Sequence, residues 1–152
     1  MRLRNIHMLA AAAALLAGAT DDRGIEFAIR VALFKKLVEG DGHPDWDEVT
    51  VPPVGGEFRE SCQRICAAQG GAVPPKILRS VVHTLLGEDL QSAHALRLGE
   101  RGSNPQRTRA ADRAKAWRRD IDKWLHLHYW ERPDGTVELA SVVYHDDFSI
   151  PE

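Results

Sequence analysis

The chain has 152 residues, of which 43% are hydrophobic and 28% charged, with a formal net charge of −2. This balance excludes wholesale disorder and low-complexity structure, and the absence of an apolar run of about 20 residues excludes a stable transmembrane span. Two cysteines are too few for a disulfide scaffold or a four-cysteine zinc site.

Charge is unevenly distributed. Residues 1–20 carry +2, residues 21–70 carry −4, residues 71–132 carry +5 and residues 133–152 carry −5. The first twenty residues combine Arg2, Arg4 and His7 with an apolar run of alanines and leucines that begins at Met8 and ends in Ala17-Gly18-Ala19. A basic start, an apolar stretch and an A-x-A pattern are the parts of a secretory signal peptide. The same residues equally suit an alanine-rich helix. Secreted or periplasmic and intracellular locations both remain open, the intracellular one preferred.

Residues 22–39 read as a helix with Ile25, Ala28, Ile29, Ala32, Leu33 and Leu37 on one face and Asp21 or Asp22 at its N-terminus. Gly40-Asp41-Gly42 stops it. Asp45–Val51 is a short helix or a single turn, ended by Pro52-Pro53, and Glu57–Gln69 is a further helix ended by Gly70-Gly71. Cys62 and Cys66, four residues apart on that helix, read as buried thiols rather than a bridge.

The order of Trp46-Asp-Glu-Val49, Val54-Gly-Gly56 and Phe58-Arg-Glu-Ser-Cys62, followed by Cys66, resembles a Myb/SANT-type three-helix module over residues 22–69. The resemblance implies core roles for Trp46, Val49, Cys62 and Cys66, and places Arg59, Gln63 and Arg64 on a third helix of the kind that reads DNA in that family. The first helix lacks the family's usual tryptophan, Cys66 stands where an aromatic is usual, and the acidity of the segment favours a protein contact over DNA.

Pro74 and Pro75 open a helix over 76–86, and Asp89 would cap a short helix to Leu98. Gly99–Gln106 reads as a polar, mobile loop. Ala110, Ala114, Trp117, Ile121 and Trp124 recur at spacings of four, three, four and three, which predicts a helix from Arg107 to about Trp124. Trp46, Trp117 and Trp124 are expected in the core. Leu125–Trp130 and Val137–Tyr144 alternate as strands about the turn Arg132-Pro-Asp-Gly135, with Arg132 opposite Thr136. This register puts Leu125, Leu127, Tyr129, Val137, Leu139 and Val143 on one face and His126, His128, Trp130, Glu138 and Val142 on the other.

The expected fold is α+β and mostly helical: an N-terminal segment 1–20, a three-helix module 21–71, and helices plus a C-terminal β-hairpin over 72–152 packed with it as one unit. Helices followed by a hairpin also give the order of a winged helix. The basic residues Arg107, Arg109, Arg113, Lys115, Arg118, Arg119 and Lys123 would then form a helical contact surface. The leading reading is a small non-enzymatic binding module whose partner is a nucleic acid or a nucleic-acid-associated protein, with no cofactor.

Two alternatives differ in class. His126 and His128 leave the same strand face, with His145, Asp146 and Asp147 just beyond the second strand. These five residues are candidates for acid–base work in a small nuclease, toxin-like in composition, with Arg118 or Arg119 as phosphate clamp. His126, His128 and His145 are also candidate metal ligands. A secreted or periplasmic binding protein is the third reading, required if residues 1–19 are cleaved.

Overall fold

The computed structural model describes residues 3–152, with side chains from residue 10 onward. Arg2 and the side chains of Arg4 and His7, the basic part of the signal-like pattern, lie outside the described residues. Four helices precede a four-stranded antiparallel sheet: α1 (Leu3–Gly18), α2 (Asp22–Glu39), α3 (Gly56–Gln69), α4 (Val73–Leu86), β1 (Ala93–Ala95), β2 (Lys115–Asp120), β3 (Leu125–Glu131) and β4 (Val137–Tyr144). The strands lie side by side in chain order. The fold is therefore α+β, with a sheet twice as wide as the hairpin read from the sequence.

Local chemistry sets the helix boundaries. The Asp21 carboxylate accepts the Gly24 amide at 2.8 Å and caps α2. Pro74 and Pro75 occupy the first turn of α4, where their missing N–H groups cost nothing. Gly70 and Gly87 follow α3 and α4 at φ of 76° and 64°, a region that side chains disfavour. The segment at Asp45 is a 3₁₀ turn, Trp46–Glu48, whose entry Asp45 stabilises by accepting the Asp47 amide.

One core joins the helices to the sheet. Ala12, Ala13 and Leu16 of α1, Ile25 and Ile29 of α2, Phe58, Cys62 and Ile65 of α3, and Ile77, Leu78 and Val81 of α4 meet Leu125, Leu127, Leu139 and Val142. The alanine-rich N-terminal segment is thus a helix whose Ala12 and Leu16 are wholly buried. Cys62 and Cys66 are free and buried, and burial raises both thiol pKa values. Val49 is buried in the same core, while Trp46 is half-buried, edge-on to Phe27 and Phe34 of α2 and covered by the Arg30 guanidinium.

The hairpin turn forms as the sequence reads. The Arg132 amide donates to Thr136 O and the Gly135 amide to Arg132 O, both at 2.9 Å, with Gly135 at φ 83°. Asp134 accepts the Thr136 amide and hydroxyl. Beyond Leu139 the expected facing fails. Tyr129 opposes Leu139 but His128 opposes Ser141, so Ala140 is an extra residue in a β-bulge. The bulge exchanges the faces of the residues after it: Val142 enters the helix-side core, and Val143 pairs with His126 instead.

The largest departure lies between residues 89 and 124. Asp89 sits at φ 48° and leads into a single 3₁₀ turn, Leu90–Ser92, and then β1, not into a helix. No helix forms over 107–124: residues 115–120 are β2, paired on both sides, from Arg119 with Ala93 to Lys115 with Glu131. The four-three spacing of Ala114, Trp117, Ile121 and Trp124 is a coincidence that non-local pairing overrides. The recognition helix of a winged-helix order is consequently absent among the described residues. Trp117 is half-buried and Trp124 is 55% exposed, while Trp130, on the central strand, is the fully buried tryptophan.

If α1 is part of this core, Leu16→Ala should cost about 2–4 kcal/mol, the price of a cavity at a 1% exposed leucine. Urea unfolding monitored by circular dichroism measures it. A change under about 0.5 kcal/mol would show that α1 does not hold the domain together.

Candidate nucleic-acid interface

The basic run survives the loss of its helix, on a different scaffold. After β1 the chain leaves the sheet at Leu96 and re-enters at Lys115. In between, residues 106–109 are wedged between the two strands: the Arg107 amide donates to Leu96 O at 2.9 Å, and the Ala116 amide donates to Arg107 O at 3.0 Å. The far turn closes with Arg109 N to Ala114 O at 2.8 Å and Arg113 N to Arg109 O at 2.9 Å. The segment 99–106, expected to be a mobile loop, is tied down by Leu98 N to Pro105 O and by the Asn104 side-chain amide to Leu98 O.

Two of the seven predicted contact residues are buried and serve as fasteners. The Arg109 guanidinium binds Asp112 through Nε and Nη2 at 3.0 and 2.7 Å and Glu138 through Nη1 and Nη2 at 2.9 and 3.0 Å, and lies 5.0 Å over the Trp130 ring. Such forked pairs are strong and orient rigidly. The hydrogen bonds from Arg109 hold Asp112 down to a pKa of about 2 and lower that of Glu138 as well. Arg119, 2% exposed, donates to the Glu88 and Asp89 carbonyls, both at 2.8 Å, and fixes the end of α4 to the sheet. Neither can meet a phosphate without dismantling its own site.

The remaining five stay at or near the surface: Arg113, Lys115 and Lys123 are exposed, and Arg107 and Arg118 half-buried. Lys123 rests 4.9 Å from the Trp124 ring centre, away from the wedge, and Arg118 lies over Phe148. Arg97 and Arg101 join the wedge group. Arg97 is a member that the helix reading missed, since only the wedge brings it beside Gln106 and Arg107. None of Arg97, Arg101, Arg107, Arg113, Lys115 and Arg118 forms an ion pair among the described residues, whereas Arg109, Arg119 and Arg132 all do.

Arg113 adds a backbone observation. It adopts φ 65°, where a side chain other than that of glycine or asparagine costs about 1–2 kcal/mol. That conformation closes the turn through the Arg113 amide to Arg109 O, and the side chain itself is exposed.

The histidine cluster does not assemble as a metal centre: among the described residues no three His, Cys, Asp or Glu side chains converge as a ligand set. His126 and His128 stack with ring centres 6.3 Å apart, and each has its own polar partner. His126 Nε2 lies 3.2 Å from Asp120, which His94 also approaches at 3.7 Å. His128 is wholly buried and donates from Nδ1 to Ser149 O at 2.7 Å. His145 stacks edge-on against Trp124, Asp146 is exposed, and Asp147 accepts from the amide and hydroxyl of Ser149. His128 neighbours Arg118 on one side and Ser141 on the other across the sheet, a row that the bulge at Ala140 creates and that no sequence pattern marks. Of the three residues placed on the third helix of the Myb/SANT-like order, Arg59 pairs with Asp22 at 2.7 Å and Gln63 donates to Ala19 O, so two of the three are engaged within the fold.

Comparison of the chain with protein-family models, curated proteins and solved structures gives no match. The functional reading therefore rests on the geometry above.

Burial pushes the His128 pKa down to about 4. Above the ordinary value near 6.5 the folded and unfolded states are both neutral at this residue and nothing is lost. As pH falls from about 6.5 to 4 the unfolded chain takes up a proton that the folded chain refuses, so stability drops by about 3 kcal/mol. Urea unfolding at pH 7 and pH 4.5 should show this decline in the wild type and a shallower one in His128→Gln. Equal slopes would mean that His128 titrates normally in the folded protein.

Proposed function

We propose that the protein is a non-enzymatic binding module that takes a nucleic acid on the wedge between β1 and β2. The observation that carries the reading is a run of cations without ion pairs among the described residues, Arg97, Arg101, Arg107 and Arg113 on and beside the ordered wedge and Lys115 and Arg118 on the two faces of the adjoining β2. Backbone hydrogen bonds and the Arg109 fork organise the surface before a partner arrives, so little ordering cost is added on binding. Cations at a sheet edge engage phosphates as point charges and forks, which gives affinity and weak sequence preference. The acidic segment 21–70 and the internal engagement of Arg59 argue against α3 as the contact surface.

Arg113→Gly separates binding from folding. The substitution relieves the positive φ and should leave stability unchanged or raise it by up to about 1 kcal/mol, while affinity falls. Fluorescence anisotropy with a labelled duplex and a labelled single strand, at low and moderate salt, reads the affinity. The double variant Arg101→Glu, Lys115→Glu should weaken binding further and flatten its salt dependence by about 0.9 per lost duplex phosphate contact. Absence of binding to both probes at low salt would overturn the reading and favour a protein partner.

A further inference from the structure

Beside the wedge lies a cleft of about 380 Å³, lined by β1, by the loop that follows it, and by Arg118 and Phe148. The loop side is held in place. The Gly99 amide donates to Arg97 O at 2.9 Å, the Asn104 amide to Arg101 O at 3.0 Å and the Asn104 side-chain amide to Leu98 O at 2.6 Å. Gly99 sits at φ 94°, and a Cβ there would stand 3.2 Å from Asn104 Nδ2, so this corner needs glycine. The groups that line the cleft are reachable: Arg97, Arg118 and Phe148 are half-buried, and His94 and Glu100 are exposed. Arg97 donates from Nη1 to Asn104 O at 2.7 Å. Arg118 lies with its guanidinium 6.0 Å over the Phe148 ring, and its Nε is buried without an acceptor among the described residues. Glu100 is the one carboxylate of the lining, and His94 approaches Asp120 outside it at 3.7 Å.

We propose that the nucleic acid taken by the wedge is single-stranded, and that one of its bases turns out of the strand to lie against the Arg118 guanidinium and Phe148 in this cleft, with the adjoining phosphates on Arg97 and Arg101. This base seat presupposes the nucleic-acid reading and narrows its substrate class. A duplex offers a concave site only its convex backbone, with its bases paired and stacked inside, whereas a single strand can splay a base outward. Aromatic rings and guanidinium planes are the surfaces on which proteins stack unpaired bases, and the cleft holds one of each in contact. The volume stands at the small end of the range of about 300–1,000 Å³ for small-molecule sites, room for one nucleotide rather than a base pair. Two arginines against one acid favour an occupant that carries phosphate. A buried donor without an acceptor favours one rich in acceptors, as base edges are.

The test is fluorescence anisotropy of the full chain at low salt with three labelled probes of equal length: oligothymidylate, an abasic oligomer that keeps the phosphates without the bases, and a blunt duplex. Oligothymidylate should bind at least about fivefold more tightly than the abasic oligomer, the lower end of what one stacked base is worth, and more tightly than the duplex. Phe148→Leu keeps an apolar side chain in the cover of the sheet, and Arg118→Lys keeps the charge without the plane. Each should bring the preference for oligothymidylate toward parity and leave affinity for the abasic oligomer unchanged, whereas a merely structural role would lower affinity for every probe alike. Equal wild-type affinity for oligothymidylate and the abasic oligomer, tighter binding of the duplex, or an undiminished preference in both variants would overturn the base seat and leave the nucleic-acid reading in place. Absence of binding to all three probes would overturn both.

Discussion

Every residue of β3 from Leu125 to Trp130 is buried, and the rest of the molecule is arranged around that fact. A strand buried on both faces needs a cover on each, and a four-stranded sheet with helices on only one side would leave His128, Trp130 and Ala140 in water. The helices supply the first cover. The second is improvised from two irregular pieces, the wedge after β1 and the C-terminal residues 148–151, which pack Leu96, Ala114, Phe148 and Ile150 against Ala116, Trp130 and Ala140. Polar groups are buried with this cover; Trp117 Nε1, His126 Nδ1, His128 Nε2 and Ser141 Oγ find no protein partner among the described residues, but several others are met. Trp130 Nε1 donates to Pro151 O at 2.8 Å, His128 to Ser149 O, Arg109 to two carboxylates and Arg119 to two carbonyls. The edge strand β4 is closed in the same manner, its Val142 amide donating to the buried Ser61 hydroxyl of α3 at 3.0 Å.

This arrangement explains which parts of the fold are legible in the sequence. α2, α3, α4 and the Arg132–Gly135 turn announce themselves through local chemistry: a capping aspartate, paired prolines, terminating glycines and an Asp-Gly turn. The wedge and β2 do not. Their shape comes from pairing partners distant in sequence, and Ala114, Trp117, Ile121 and Trp124 happen to repeat at helical spacing while the chain is extended. The face swap at Val142 and Val143 is similar, since one extra residue at Ala140 cannot be seen in an alternating pattern of Leu, Ala, Ser and Val.

The site divides along the same line. A concentration of positive charge between residues 97 and 119 is visible as a count, but which cations remain available is a tertiary matter. Arg109 finds Glu138, 29 residues away, and Arg119 finds carbonyls about 30 residues upstream. Arg109 takes Asp112 and Glu138, and Arg97, Arg101, Arg107, Arg113, Lys115 and Arg118 are left without ion pairs among the described residues. The histidines of β3 are likewise placed by tertiary partners, His126 beside Asp120 and His128 on the Ser149 carbonyl.

The central claim is that the wedge is an ordered cationic surface in the free protein and that the polyanion lands on it. Amide hydrogen exchange of the full chain, free and with a saturating single-stranded oligonucleotide, tests both halves at once. The amides of Arg107, Arg109 and Ala116 should be protected before any ligand is added, and added protection should concentrate in residues 97–118. Unprotected wedge amides in the free protein, or ligand-induced protection confined to the helices, would contradict it.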